Sequence, residues 1–331
     1  MMRAVSKYLR QAAANGAITL LAILAVFGCL SRQFLEPNNL VNILIQSSSL
    51  AIVAVGMTCT LLTAGIDLSV GSSMFLAAAV AGKVLLSGMS PATAVAAALA
   101  VGIVFGLLNA ILIAYLSMQP FIATLATLFV GRGLALLITD TRSLNLPEGV
   151  TQFGSRRLFL IPLPVLAMLF VLVVVHLILS HTPFGRQVYA IGYNPNSARK
   201  AGIDTRAILA ATYVICGVCA AIGGIVSLML LGTVSQTFGA QREFAAVSAA
   251  ALGGISLFGG RGKVLPGALI GSLLIQTVEN GLVLINANPY TYPLVTATVI
   301  FLTVMIDSLR HEALVKARRR KIRAEVAQSA T

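Results

Sequence analysis

The sequence predicts an all-α membrane protein, a polytopic bundle of about ten transmembrane helices with both termini cytoplasmic. Of its 331 residues, 58% are hydrophobic and only 10% are charged, and the mean hydropathy is +0.93. A soluble globule of this length is excluded, since about a quarter of the residues in such proteins are charged. Most of the apolar runs are long enough to cross roughly 30 Å of hydrocarbon as a helix.

Ten apolar runs are predicted to be the membrane spans. The first follows a basic start and ends at Leu30, and the eighth has only about 15 residues, fewer than a full crossing needs. Because the eighth run is also rich in glycine, it predicts a broken helix or a close backbone crossing. The later nine runs cover residues 40–63, 74–86, 91–116, 121–138, 162–180, 207–232, 244–258, 264–285 and 293–306.

The distribution of Lys and Arg sets the predicted orientation. With ten spans and an inside N-terminus, 16 of the 23 basic residues lie on the cytoplasmic side, six lie outside and Arg132 lies within the membrane. Cytoplasmic loops carry such an excess. Membrane topology therefore explains the net charge of +13 better than nucleic-acid binding does. Residues 1–310 are expected to form a single transmembrane domain, followed by a basic cytoplasmic tail at 311–331.

The polar segment 181–206 between two spans is predicted to hold a short cytoplasmic helix at residues 196–201. Asn194 is a suitable N-terminal cap, Pro195 suits the first turn, and Gly202 is a stop signal.

A second polar stretch, TAGIDLSVGSS, contains Asp67 and Ser69 between glycines. The structural interpretation is a tight turn whose short acceptor side chains take the free N–H groups of the next helix. The functional alternative is that the Asp67 carboxylate lines a polar cavity, because ionisable groups at membrane depth usually face a pathway or a partner.

Arg132 and Glu279 are each about six residues from the outer end of a predicted span, so they are expected at a similar depth. Opposite charges at one level in hydrocarbon can offset each other's cost. We hypothesise that they face one another, or together face a water-filled vestibule. The alternative is that each side chain extends separately to the interface or bonds to backbone carbonyls.

The sequence contains no recognisable catalytic or metal-binding pattern. The three histidines are scattered, and the four cysteines fall inside apolar runs, where a thiol packs as a small hydrophobe. The pair Cys216 and Cys219 has no His or acidic neighbour, which favours packing over metal or redox chemistry. No GxxxxGK[ST] motif occurs, so ATP has to be bound by a partner if it drives this protein.

Five ordered motifs extend from about residue 40 to about residue 307: AVGMTCTLLTAGIDLSVGSS, QPFIATLATLFVGRGLALLIT, FGRQVYAIGYNPNSARKAGI, EFAAVSAAALGGISLFGGRG and TVENGLVLI. In this order and spacing they resemble the permease subunit of bacterial ribose-type carbohydrate ABC importers. The resemblance implies a non-enzymatic, multi-pass inner-membrane protein that passes a monosaccharide or polyol across the lipid bilayer.

The resemblance also implies partners and functional residues. The partners are a cytoplasmic ATP-binding subunit, a periplasmic substrate-binding protein and a second permease copy, which makes a homodimer or heterodimer. No cofactor is expected on this chain, and no nucleic acid is expected as a partner. The segment corresponding to the ATPase-coupling helix consists of Asn194, Pro195, Asn196, Ser197, Ala198, Arg199, Lys200, Ala201 and Gly202. We expect Arg199 and Lys200 to be charged contacts and Ser197 and Ala198 to sit in a groove of the ATPase.

Two motifs depart from the family's usual pattern. Glu243 is followed by Phe-Ala-Ala where the family often has E-L-D-A, and Glu279 precedes Asn-Gly-Leu where the family often has N-N-G-L. Both lie near the outer half of the expected pathway, so no particular sugar is implied. The expected pathway residues are Asp67, Ser69, Arg132, Glu243, Glu279 and Asn280.

Two other transport functions remain open at this point. A permease of a related branched-chain amino-acid or nucleoside ABC importer shares the architecture. A secondary transporter is more distant, because it needs acidic or sodium sites near the middle of the membrane.

Overall fold

The computed structural model describes residues 2–147, 154, 156–292, 294, 295, 297, 298, 301, 302, 305 and 309, with side chains from residue 16 onward. Half of the predicted tenth span, 293–306, and the whole predicted basic tail therefore lie outside the described residues.

Helices dominate the described residues. They are α1 (Met2–Leu30), α2 (Pro37–Leu62), α3 (Val70–Leu86), α4 (Pro91–Ala110), α5 (Pro120–Thr139), α6 (Leu163–His181), α7 (Pro183–Tyr193), α8 (Pro195–Lys200), α9 (Thr205–Leu231), α10 (Arg242–Leu252) and α11 (Val264–Leu284). A π-helical turn, Ile111–Tyr115, extends α4. Two-residue strands form two small antiparallel sheets: β1 (Leu144–Asn145) pairs with β4 (Thr233–Val234), and β2 (Arg157–Leu158) with β3 (Ile161–Pro162).

Six described helices are long and apolar enough to cross a membrane: α2, the continuous α4 and π turn, α5, α6, α9 and α11. Two shorter apolar helices lie at Gly16–Leu30 and Val70–Leu86. The predicted polytopic helical membrane fold is confirmed at this level.

Local sequence explains several helix boundaries. Proline occupies the first turn of α2, α4 and α5, where its missing N–H is not needed. Ser90 caps α4 by accepting the Thr93 N–H at 3.2 Å. Asp140 and Gly232 end α5 and α9 in the left-handed conformation.

Helix α9 packs against α2, α3 and α4 at the centre of the described bundle. Glycines permit these close approaches: a Cβ at Gly106 would lie 2.6 Å from the Val214 Cα, and one at Gly56 would lie 2.6 Å from the Cys219 Cβ. Small residues let helices pack closely in lipid. Cys216 and Cys219 are buried free thiols in this packing, which agrees with the prediction for the pair.

The predicted eighth span is shorter than expected. Helix α10 ends at Leu252 rather than near residue 258, because Gly253 and Gly254 follow it and Gly254 has a φ of +89°. Residues 253–263 then run without helix to α11. Backbones of α10 and α11 touch directly, since a Cβ at Gly271 would collide with the Ala249 carbonyl oxygen.

Candidate functional site: a polar cavity and a coupling segment

A cavity of about 400 Å³ lies among α2, α10 and α11. Its lining is rich in amide and charged side chains, although the helices around it are apolar. The lining residues are Gln46, Ala240, Gln241, Arg242, Ala245, Gln276, Glu279, Asn280, Val283 and Tyr292. A second cavity of about 390 Å³ shares Gln46, Arg242 and Gln276 and adds Ser49 and Ser227.

Polar side chains follow one face of α2 at residues 39, 42, 46 and 49, a helical spacing. Three of these four side chains pair with side chains on other helices. Asn39 and Asn280 exchange two amide hydrogen bonds of 3.0 and 3.1 Å. Gln276 Nε2 donates to Gln46 Oε1 at 3.0 Å, and the Ser49 and Ser227 hydroxyls lie 2.7 Å apart. Each amide keeps further donor or acceptor capacity for a polar solute.

The cavity lies far from the end of the bundle that carries α7 and α8. Leu62, the last residue of α2, touches Gly192 of α7. Gln46 precedes Leu62 by 16 residues, which corresponds to about 24 Å along a helix axis. The polar cavity and the coupling segment therefore occupy opposite ends of α2.

Of the predicted pathway residues, Glu279 and Asn280 line this cavity. Asp67 and Ser69 do not. They are buried in the turn between α2 and α3, where Asp67 Oδ1 accepts the Ser69 N–H at 2.9 Å and the Ser69 hydroxyl at 2.6 Å. Asn109 Nδ2 donates to Ser69 Oγ at 2.8 Å and also reaches Asp67, and Thr127 donates to Asn109 Oδ1 at 2.7 Å. The predicted tight turn at Asp67 is confirmed, but the predicted cap is not: Asp67 accepts the N–H of Ser69, just before α3, and the Ser69 side chain accepts no N–H of α3. The turn also ties α3 to α4 and α5.

The hypothesised direct pairing of Arg132 with Glu279 is wrong. Arg132 Nη1 donates to the Gln236 carbonyl at 3.2 Å, and its guanidinium lies 5.5 Å from the centre of the Phe75 ring. Among the described residues the ion pair within 4 Å is an exposed one between Lys83 and Asp140. Arg132 and Glu279 were predicted at a similar depth, but their helices have different neighbours: α5 packs on α3, while α11 packs on α2 and α10.

The acidic neighbour of Arg132 is Glu243, the remaining predicted pathway residue. Glu243 is buried in the first turn of α10, and its Oε2 has no hydrogen-bond partner within the described part of the chain. Gly71 approaches this oxygen so closely that a Cβ at position 71 would collide with it. Its neighbours in sequence, Gln241 and Arg242, face the cavity.

The coupling segment contains two helices where the sequence predicted one. Helix α8 begins at Pro195, and the side chain of Asn194 accepts the Ser197 N–H at 2.9 Å, as expected of a cap. The additional helix α7 buries Val188 and Ile191 and exposes its polar face. Its sequence signal is this amphipathic spacing after the Thr182 cap, which accepts the Gly185 N–H.

Within α8, one part of the predicted contact surface is corrected. Ala198 is 4% exposed and packs against this chain, so its side chain cannot sit in a groove of another protein. The helix is short and Ala198 is on the face turned toward the bundle. Asn196, Ser197, Arg199 and Lys200 are exposed.

Residues 39–306 match the family model described as "Branched-chain amino acid transport system / permease component". The chain belongs to this permease family. Its sequence is 39% identical over 298 residues to the ribose import permease protein RbsC of Escherichia coli K12, covering 88% of this chain and 92% of that protein.

Other relatives of this permease act on different cargo by name. The D-allose transport system permease protein AlsC of Escherichia coli K12 is 35% identical, with 89% of this chain and 91% of AlsC covered. The galactofuranose transporter permease protein YtfT of the same organism is 37% identical, with 86% and 83% covered. No solved structure matched the permease.

These matches confirm the predicted resemblance to importer permeases. The permease is a multi-pass protein of the inner membrane and a transport component rather than an enzyme. Membership also implies ATP-binding and substrate-binding partners.

Proposed function

We propose that this permease carries a monosaccharide or related polyol across the inner membrane in an ATP-driven importer. A periplasmic binding protein delivers the sugar, a cytoplasmic subunit binds the ATP, and a second permease copy completes the channel. The permease itself needs no cofactor.

The polar cavity is the observation that supports this proposal most directly. Sugars present many hydroxyl groups that both donate and accept, and amide side chains do the same. The Gln46–Gln276 and Asn39–Asn280 pairs place such amides within an apolar bundle. Relatives named for ribose, allose and galactofuranose agree in cargo class.

A branched-chain amino acid is the second candidate. Both Arg242 and Glu279 line the cavity, so opposite charges are available for a carboxylate and an ammonium group. The family description also names this cargo. Six of the ten lining residues carry an amide or a charged group, which favours a cargo with many polar groups over one with a branched hydrocarbon side chain.

Reconstitution decides between the two. The permease is placed in proteoliposomes with its ATPase and binding protein, and uptake of D-ribose, D-allose, galactofuranose and L-leucine is compared. We expect ATP-dependent uptake of one or more sugars. Uptake of leucine alone contradicts the sugar assignment.

The proposed topology has ten spans in residues 1–310 and cytoplasmic N- and C-termini, with residues 311–331 as a cytoplasmic tail. In a Cys29→Ser background, single cysteines placed at Ser197 and at Ser329, which lies outside the described residues, should resist a membrane-impermeant thiol reagent in intact cells. Disrupted cells should label at both positions. Labelling of either cysteine in intact cells contradicts the topology.

We propose that α8 and its flanking residues, 194–202, dock on the ATP-binding subunit. The exposed cations Arg199 and Lys200 are its charged contacts. Replacement of both by Glu should lower sugar uptake and stimulated ATP hydrolysis together, by about tenfold or more. The reason is that like charges placed across an interface cost several kcal/mol. The measurement is ATPase activity of the reconstituted complex. Arg142→Glu, an exposed cation on the opposite side in the proposed topology, is the control and should be close to wild type.

A further inference from the structure

Helix α7 contacts both the end of α2 and the loop 253–263 at Gly192. Gly192 packs so closely on the Leu62 carbonyl and the Gly260 backbone that a Cβ there would collide with the Leu62 oxygen. Gly260 N–H donates to this same Leu62 oxygen at 2.8 Å. Tyr189, one turn earlier, donates its hydroxyl to the Gly262 carbonyl at 2.8 Å. We call these five residues the junction.

Glycine is required on one side of the junction. Gly259, Gly260 and Gly262 have φ values of +81°, +67° and +122°, which side chains rarely adopt. A Cβ at Gly259 would lie 2.9 Å from the Gly192 carbonyl oxygen. The loop 253–263 is therefore shaped to bring its backbone against α7 and the end of α2.

The Tyr189 hydroxyl is a dependable donor in this position. A tyrosine hydroxyl keeps its proton at neutral pH, and burial raises the pKa of Tyr189 further, to about 12. Loss of this neutral hydrogen bond weakens the junction without adding or removing a charge.

The junction joins the same elements that wall the polar cavity at the other end of the bundle. One wall is α2, with Gln46, and the other is the α10–α11 pair, with Arg242 and Gln276. Direct backbone contact at Gly253, Gly267 and Gly271 packs α10 tightly on α11, so we expect the two helices to move as one unit. The two walls enclose space at the cavity and are tied together at the junction.

We propose that the junction is the cytoplasmic gate of the pathway and that the coupling segment operates it directly. Movement of α8 by the ATPase is passed to α7, and α7 separates Leu62 from Gly260, which lets the α10–α11 pair swing away from α2 on the inner side. This inference rests on the proposed function and adds to it the residues that close the inner exit.

If the junction is the gate, weakening it should increase the passage of sugar and locking it should stop that passage. Tyr189→Phe removes one tie and should raise sugar leakage without ATP about three- to tenfold, the effect of one neutral hydrogen bond on an opening equilibrium. Ala64→Cys with Gly259→Cys should lock the gate, because a Cβ at Gly259 would lie 3.0 Å from the Ala64 Cβ, within ~1 Å of disulfide spacing.

The experiment uses proteoliposomes holding the complete importer in a Cys29→Ser background, loaded with the sugar that the wild type takes up. Oxidation of the double-cysteine permease should stop uptake and reduction should restore it, while the single-cysteine variants do not respond to oxidant. Tyr115→Phe, an exposed tyrosine at the end of the α4 extension, is the control for Tyr189→Phe and should not leak.

Continued uptake with the disulfide formed, or a Tyr189→Phe leak equal to that of Tyr115→Phe, overturns the gate. If strain at Gly259 prevents the disulfide from forming or inactivates the reduced double-cysteine permease, the leak comparison decides. A wild-type complex that takes up no sugar at all contradicts the proposed function instead, so the two failures are distinguishable.

Discussion

Asp67→Ala is expected to destabilise the permease by about 2–4 kcal/mol, because it leaves the buried Ser69 N–H and hydroxyl without an acceptor. Asn109 also loses one of its partners. The turn that places the start of α3 against α4 and α5 then loses its main side-chain acceptor and keeps only the bond from Asn109 to the Ser69 hydroxyl and that from Thr124 to the Ile66 carbonyl. Thermal unfolding in detergent, followed by the loss of monodisperse protein, measures the effect.

Asp67→Asn is the matched variant. Its side-chain oxygen can still accept from Ser69, so most of the stability should return. An Asn variant as unstable as the Ala variant would show that the negative charge, rather than the acceptor geometry, is what the turn requires. An Ala variant as stable as the wild type would show that the network contributes nothing.

Replacement of Gln46 and Gln276 together by Leu should reduce sugar uptake by about tenfold or more, since each solute hydroxyl left unpaired costs about 1 kcal/mol or more. The two amides bond to each other, so removing both leaves neither unpaired in the protein. Stability should therefore change little. Uptake and unfolding temperature are measured on the same preparation.

Gln33→Leu provides the control, because Gln33 is exposed and lies outside both cavities. We expect it to match the wild type in both measurements. Normal uptake by the double variant would show that the cavity is not part of the pathway.

The features that the sequence predicted well are those determined by neighbouring residues. Asn194 and Pro195 define the start of α8 through a cap and a proline, and both signals lie within one turn. The composition was enough to predict a polytopic helical membrane protein. The turn at Asp67 was predicted for the same reason, since its main acceptor bonds reach only two residues along the chain.

Features that depend on how helices are rotated and paired were missed. Asn39 and Asn280 are 241 residues apart, and no local signal links them, although the polar spacing at residues 39, 42, 46 and 49 marks the face of α2. The Arg132–Glu279 hypothesis failed in the same way. Depth can be counted along a helix, but the direction in which a side chain points is set by packing, and here it brings Arg132 to Glu243.

The brevity of α10 has a consequence for how the permease is assembled. Eleven residues of helix extend about 16 Å, roughly half of the hydrocarbon thickness, and the following residues to 263 are irregular. Lipid cannot hydrogen-bond to such a backbone. Partners come from within the protein, from α2 through Leu62 and from α7 through Tyr189. During biosynthesis this stretch should therefore leave the translocon together with α11, into a bundle whose earlier helices are already in place.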